Sequence, residues 1–272
     1  MRHIDEDTIT QAVIAGHAAA GDARLRELMT SLVQHLHAFA REVQLTEAEW
    51  AAGLRFIAEC ANGPEDAQQL ALLSHALGLS TLVSALGRRR SRPGTESALP
   101  AVFHSDGAAA PADATEACFV RGQVRSADGH PLTQAEIRAW PSGPAGQGGA
   151  EARSCSGADG RFVLRCGLPQ EQAVAQDGAV GRMLQALGRH PWRPAHLQFM
   201  ISAPGHQRLV AQVFRAGDRY LDSDALFGVR SALVTDWVRH APGRTPDGEH
   251  SAQPFHTLDF DFVLNPTTGD TP

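Results

Sequence analysis

No stretch of the 272 residues approaches the roughly 18 consecutive apolar residues that a membrane-spanning helix needs. The opening, MRHIDEDTIT, is too acidic and polar for a secretory signal, so the expected compartment is the cytoplasm and no membrane partner is expected. The four cysteines, at 60, 118, 155 and 166, show no CxxC spacing. Cys155 and Cys166 could face each other across a hairpin, although buried free thiols are the commoner outcome in a reducing compartment. A net charge of −6 leaves no broad basic surface for non-specific nucleic-acid binding. Aromatic and charged residues are both slightly scarce while Gly and Pro are plentiful, which still describes an ordinary globular chain long enough to bury a full core.

What the sequence does contain begins with helical periodicity. From Ala23 to Val43, the residues Leu25, Leu28, Met29, Leu32, Leu36, Phe39 and Ala40 recur at three- and four-residue steps, the spacing of one broad apolar face. His35 and His37 stand two residues apart and leave such a helix in different directions, which argues against a metal pair. Thr46-Glu47-Ala48-Glu49 is a capping box, with Leu45 and Trp50 placed as a hydrophobic staple, and it predicts a second helix through Leu54 and Ile57 to Cys60. Ala61-Asn62-Gly63-Pro64 ends that helix. A third is expected from Glu65 to Leu86, with Leu70, Leu73, Leu77 and Leu79 on it and Gly78 as its weak point. Three such helices need a cover: the rest of the chain, a second copy, or a lipid or other long apolar ligand.

Composition shifts at Gly87. Arg88, Arg89, Arg90 and Arg92 lead into Pro93-Gly94, a basic run short enough to be a solvated face or a set of local ion pairs. From Cys118 the period becomes two. CFVRGQV, AEIRAW, RFVLRC, the 193–202 segment, RLVAQVF and FHTLDFDFVLNP read as strands, separated by turns such as Asp128-Gly129 and Asp159-Gly160, with a short helix around Arg182 to Leu187. Many short strands without alternating helices favour a mainly β fold, an antiparallel β-sandwich preceded by an α-helical region. The expected divisions are a helical region 1–88, a linker 89–117, a sandwich 118–266 and a tail 267–272.

Trp192 to His206 holds the densest group of candidate site residues. Strand alternation sends Leu197, Phe199 and Ile201 to one face and His196, Gln198, Met200 and Ser202 to the other, with Arg193 just ahead. A polar face of this kind is either a site or the solvated side of a half-buried sheet.

The stretches LTEAEW, LLSHALGLSTLV, RPGTES, VRGQVRSADGHPL, ADGRFVLRC, LGRHPWRPAHLQFMISAPGH, AQVFRAGDRYLDSD and LDFDFVL follow one another within residues 25 to 264. In content and order they resemble the intradiol ring-cleavage dioxygenases, in particular the catechol and hydroxyquinol 1,2-dioxygenase branch. The resemblance implies a non-haem ferric ion held by two tyrosines and two histidines, and a catechol cleaved by insertion of both atoms of O2 between its hydroxyl-bearing carbons. It also implies that the N-terminal helices are a dimerisation region, with a bound lipid between them. Phenolate and imidazole are suitable donors for ferric iron.

Carried over residue by residue, three of the four ligand positions are changed. The first tyrosine position, eight residues after Trp140, is Gly148, and the second, twenty-four before the first ligand histidine, is Gln172. His196 keeps the first histidine, whereas Gln198 replaces the second. The one tyrosine of the chain, Tyr220, lies in DRYLDSD, which supplies no ligand in the family. Arg193 and Gln212 match non-ligand residues beside the substrate. No metal and no cofactor are therefore expected, and the protein should be colourless.

Three functions follow from this reading. The first is metal-free acid/base chemistry on an aromatic or enone-like small molecule, with His196 as acid or base and Arg193 stabilising negative charge. Gln172, Gln198, Gln212 and Gly148 would line the substrate. The second is a non-catalytic scaffold or binding subunit, a homodimer through the N-terminal helices. The third is a genuine catechol or hydroxyquinol 1,2-dioxygenase with an unusual iron site, for which His104, His206, His250 and His256 are the substitute donors.

Overall fold

The computed structural model describes residues 5–17, 20–61, 66–88, 94–97, 116–143 and 149–267. By their internal contacts they form two compact units, Met1–Glu59 and Cys60–Pro272.

In the first unit, α1 (Ile9–Gly16) precedes α2 (Ala23–Glu42), and α3 (Glu47–Cys60) follows. The amphipathic spacing predicts α2 to within a residue, but α1 was not expected. Asp22 caps α2 by accepting from the amides of Arg24 and Leu25 at 2.8 and 3.1 Å. The capping box of α3 forms as its spacing requires. The Thr46 amide donates to the Glu49 carboxylate at 2.9 Å, and the Glu49 amide donates to Thr46 Oγ1 at 3.3 Å. No residue of α2 is buried, and its stripe of Leu25, Leu28, Leu32, Leu36 and Phe39 is about half exposed.

The single helix expected over 65–86 is two, α4 (Asp66–Ala76) and α5 (Leu79–Arg88), bent by 75° between them. Gly78 sits at φ +72°, the left-handed region in which a helix ends and glycine carries no side-chain penalty. Apolar residues recur on both sides of the break, Leu70 and Leu73 before it and Leu79, Leu82 and Leu86 after it, so periodicity alone could not reveal it. Asn62, Gly63, Pro64 and the arginines at 89, 90 and 92 lie outside the described residues. Among the described residues no single helix is long and apolar enough to cross a membrane.

The second unit carries two five-stranded sheets. One is built on β1 (Ala117–Ser126), which pairs antiparallel with β4 (Arg161–Gly167) and parallel with both β13 (Phe255–Asp259) and β14 (Phe262–Leu264), while β10 (Val238–His240) borders β13. The other runs β3 (Ala152–Cys155), β2 (Glu136–Pro141), β7 (His196–Ser202), β8 (Leu209–Arg215), β9 (Val234–Thr235). Its first four strands are antiparallel and β9 is parallel to β8. The sandwich is thus confirmed as β-rich with helices ahead of it, but its sheets are mixed rather than purely antiparallel. Val120, Val124, Ile137, Phe162, Leu164, Leu197, Phe199, Ile201, Leu258 and Phe262 fill one continuous core.

Two expected strands are interrupted, each for a local reason. FHTLDFDFVLNP divides at Phe260-Asp261, where the Phe260 backbone crosses so close to β1 that a side chain on Gly122 would come within 1.8 Å of the Phe260 carbonyl oxygen. The 193–202 segment divides at Pro194, which has no amide for a ladder. It yields β6 (Trp192–Arg193), paired with β5 (Gln172–Ala173), and then β7. Between β5 and β6 lies α6 (Ala179–Ala186), and β11 (Gly243–Arg244) pairs with β12 (His250–Ser251) further on. All four cysteines are free. Cys155 is exposed and Cys166 lies opposite Cys118 of β1, so no 155–166 bridge forms.

Candidate functional site

Strand β7 has both faces covered. His196, Gln198 and, just before it, Arg193 are 1%, 5% and 4% exposed, so the polar face of this strand is interior and is not a solvated sheet surface. Ser142, next after β2, holds the region together. Its amide donates to the His196 carbonyl at 2.9 Å, its hydroxyl donates to the Gln170 carbonyl at 2.6 Å, and the same oxygen accepts from the His196 amide at 2.9 Å. The ends of β2 and β7 and the approach to β5 are thereby fixed together.

The centre of this interior is a buried ion pair that pattern reading did not find. Arg193 Nε and Nη2 donate to the two carboxylate oxygens of Asp224 at 2.9 and 3.2 Å, and Nη2 also donates to Gln212 Oε1 at 3.0 Å. The Leu226 and Gly228 amides donate to the same carboxylate at 3.2 and 2.8 Å. Burial opposes the charge on Asp224, but Arg193 and these amides outweigh it and hold the carboxyl below its usual 3.8. Such a pair is tolerable in an interior because the carboxylate accepts from both the guanidinium and two backbone amides. Gly228 is required beside it: a Cβ there would stand 2.7 Å from Arg193 Nη2 and 3.1 Å from the Asp224 carboxylate.

A cavity of about 40 Å³, above the roughly 10–15 Å³ that admits one water, opens against this cluster. Arg193, Gln198 and Gln212 form its strand wall, and His75, Ser80 and Ser84 form its helix wall. Leu226, Gly228 and Arg230 close it from the loop after β8. That loop is tied to the helices. Thr81 Oγ1 donates to the Phe227 carbonyl at 2.9 Å, and Arg189 donates to the carbonyls of Ala76 and Ala225, each at 2.8 Å. The Arg189 contact places a cation on the C-terminal carbonyls of α4, where the helix dipole favours it.

Of the residues singled out from sequence, Arg193, Gln198 and Gln212 therefore share one cavity. His196 and Gln172 are buried nearby but are not part of its lining, and Gly148 lies outside the described residues. His196 Nδ1 is 2.8 Å from the Pro194 carbonyl. A carbonyl only accepts, so Nδ1 carries a proton. Its ring packs 5.3 Å from that of Phe214. Gln172 pairs across β5–β6 with Arg193. Asp224 and His75 were missed although both lie in motifs that carry the resemblance, DRYLDSD and LLSHALGLSTLV, whose charged members were open to inspection one by one.

The ferric ion that the resemblance implies can be tested against these donors. One tyrosine per chain cannot supply two tyrosinates, however the positions are aligned. That tyrosine is engaged in packing: Tyr220 stacks on Trp192 at 5.9 Å and 9°, with the Arg219 guanidinium 4.7 Å over its ring. Glutamine is a weak neutral donor and does not replace a phenolate. His206 bonds to the Pro204 carbonyl, His250 is exposed, His256 faces Glu116 at 3.3 Å, and His104 lies outside the described residues. Among the described residues no group of three or more His, Cys, Asp or Glu is arranged to hold a metal. The residues present do not fit a tyrosinate-and-imidazole ferric centre.

Comparison with known proteins places the whole chain. The family model described as Dioxygenase matches residues 104–266, and that described as Catechol dioxygenase N terminus matches residues 22–94. The chain is 44% identical over 286 aligned residues to a 6-chlorohydroxyquinol 1,2-dioxygenase of Cupriavidus pinatubonensis, covering 98% of this chain and 100% of that protein. It is 36% identical to a hydroxyquinol 1,2-dioxygenase of Nocardioides simplex, covering 96% of each. The solved structure of a hydroxyquinol 1,2-dioxygenase from Pseudomonas putida DLL-E4 superposes with a TM-score of 0.81 at 33% identity, over 96% of this chain and 98% of that one. Motif order, mixed sandwich, leading helices and these matches together make the chain a member of the intradiol dioxygenase family of catechol and hydroxyquinol 1,2-dioxygenases.

Proposed function

We propose that the protein binds a hydroxylated aromatic ring of the catechol and hydroxyquinol class beside Arg193, and that it does so without the family's ferric centre. The observation that carries this reading is a contrast within one site: Arg193, Asp224 and Gln212 are held to one another by hydrogen bonds, while the chain's one tyrosine cannot supply the two tyrosinates a ferric centre needs. The names of the relatives support the ring class. They give no support to a metal-free enzyme, and His196 does not line the cavity in which acid/base turnover would occur. Binding is accordingly the function the geometry favours. Protein purified from iron-replete cells should contain far less than one iron per chain, lack a visible charge-transfer band, and still bind hydroxyquinol in an anaerobic calorimetric titration.

A second reading, ring cleavage at an unusual iron site, is favoured by the names of all the relatives just described. Stoichiometric iron together with oxygen uptake on hydroxyquinol would establish it and overturn the first.

Self-association belongs to the same proposal. The half-exposed stripe of α2 supports a second copy as its cover, with a lipid as the competing occupant. The helical region 1–88 would then contribute α2 to the dimer and α4–α5 to the cavity wall. Light scattering should give a dimer mass that Leu32→Glu halves. Four free thiols are in keeping with work in the reducing cytoplasm.

A further inference from the structure

We infer that Cys118 and Cys166 form a reversible oxidation site, a thiol pair that a hydroperoxide converts to a disulfide joining β1 to β4. The two residues stand directly opposite each other in the antiparallel β1–β4 ladder and face the same core. The Leu168 amide donates to the Glu116 carbonyl at 2.8 Å, two residues away along both strands. The cysteines therefore occupy a hydrogen-bonded position of that ladder, where opposite α-carbons lie about 5.5 Å apart. A disulfide spans roughly 4.4–6.8 Å between α-carbons. The sulfurs are already together: the Cys166 thiol donates to the Cys118 carbonyl at 3.6 Å and is in hydrogen-bonding reach of the Cys118 thiol. The register thus gives Cys166 a partner other than the Cys155 that hairpin spacing suggests, and Cys155 stands exposed opposite Glu136.

Access comes from the end of the ladder. Ala117 and Gly167 are the last pair of β1 with β4, so opening them and the Leu168 bond uncovers the sulfurs without unfolding the sheet. Cys166 is 9% exposed and Cys118 is fully buried, which makes Cys166 the sulfur met first. The Cys118 side chain and then burial hold the Cys166 thiol well above its usual 9, so it is protonated at pH 7 and reacts more slowly than an exposed cysteine. In the first step the Cys166 sulfur attacks the peroxide, the O–O bond breaks, and the thiol proton leaves with the departing oxygen, so that Cys166 becomes a sulfenic acid. In the second the Cys118 sulfur attacks that sulfur. An S–S bond forms as the S–O bond breaks, and water carries off the hydroxyl and the Cys118 proton. Two electrons have then passed from the thiols to the peroxide. The facing thiol intercepts the sulfenic acid before more peroxide takes it to the irreversible sulfinic acid, a protection that Cys155, opposite a carboxylate, lacks. Opposite Cβ atoms in a ladder lie about 4.5–5.5 Å apart against about 3.8 Å in a relaxed disulfide, so the bond forms under strain and is readily reduced.

The test is a time course of the folded full-length protein in excess hydrogen peroxide at pH 7, each sample alkylated, digested without reduction and read by peptide mass spectrometry. Cys155 should be consumed first and pass to the sulfinic acid. More slowly, the Cys118 and Cys166 peptides should appear joined, two hydrogens lighter than the pair of thiols, and dithiothreitol should return both as thiols. The chain unfolded in urea should instead favour a link between Cys155 and Cys166, which closes the shorter loop, so a native link from Cys118 to Cys166 reports the folded register. Cys118 and Cys166 still alkylated as thiols long after Cys155 is spent overturn the inference. So does a native link through Cys155, or passage of either residue to the sulfinic acid in wild type. Folded Cys118→Ser checks the interception separately: Cys166 should then go on to the sulfinic acid, and a Cys166 that stops short of it overturns the role given to Cys118.

Discussion

Two corners of the same site place opposite demands on this chain. At the corner where the resemblance puts iron, the expected ligand positions fall on Gly148, Gln172 and Gln198, with His196 as the one donor carried over. At the other, Arg193, Gln212, Asp224 and Gly228 form a buried cluster in which the guanidinium, the carboxylate and the nearby amides are bonded to one another. The difference separates two requirements. Metal ligands answer to chemistry and can be lost without unfolding the sandwich. A buried charge answers to stability, because removing one partner leaves the other uncompensated in the interior.

The comparison can be broken most completely by building the family's ligands into the first corner. Gly148→Tyr, Gln172→Tyr and Gln198→His in one chain should take iron from none to near one per chain and bring a visible absorption band, measured by metal analysis and spectroscopy. If the triple variant folds and stays colourless and iron-free, the loss extends beyond the ligand positions. Next in size, Asp224→Asn should cost about 3–5 kcal/mol in denaturant unfolding, since Arg193 then carries an unpaired buried charge. The matched change at the other corner, Gln198→Leu, should cost clearly less. Gly228→Ala should cost about 1–3 kcal/mol, because the added methyl presses on a guanidinium that its bonds hold in place.

The smallest effect expected is on acid stability. Asp224 is held below 3.8, and Glu151, by hydrogen bonding to Arg138 foremost, is lowered from 4.5 to about 2. Both carboxylates are depressed in the folded state, so their contribution is complete above about pH 4.5 and is lost as the pH falls toward 2. Unfolding midpoints should decline across that window, and Glu151→Gln should flatten part of the decline.

Much of this was legible in the sequence, for reasons that differ by element. α2 and the α3 cap are local: a 3.6-residue stripe and a four-residue box carry their own evidence. The motif order carried the family, alternation put Gln198 beside Arg193, and the resemblance added Gln212. What escaped depends on pairing between distant residues. Whether β13 runs parallel or antiparallel to β1 is not written in either strand. Asp224 lies 31 positions from Arg193, and nothing in its neighbourhood announces the partner. The bend at Gly78 had a signal, the glycine itself, but spacing on either side outvoted it.

The stack of Tyr220 on Trp192 has an optical consequence. With rings stacked nearly parallel at 5.9 Å, light absorbed by the chain's one phenol passes to that indole, which directly precedes in sequence the cavity-lining Arg193. The protein thus carries an intrinsic reporter. Emission from Trp192 should dim when an aromatic ligand enters, so occupancy can be followed by fluorescence without a label, and Tyr220→Leu should remove the phenol's share of the excitation while leaving the indole to respond.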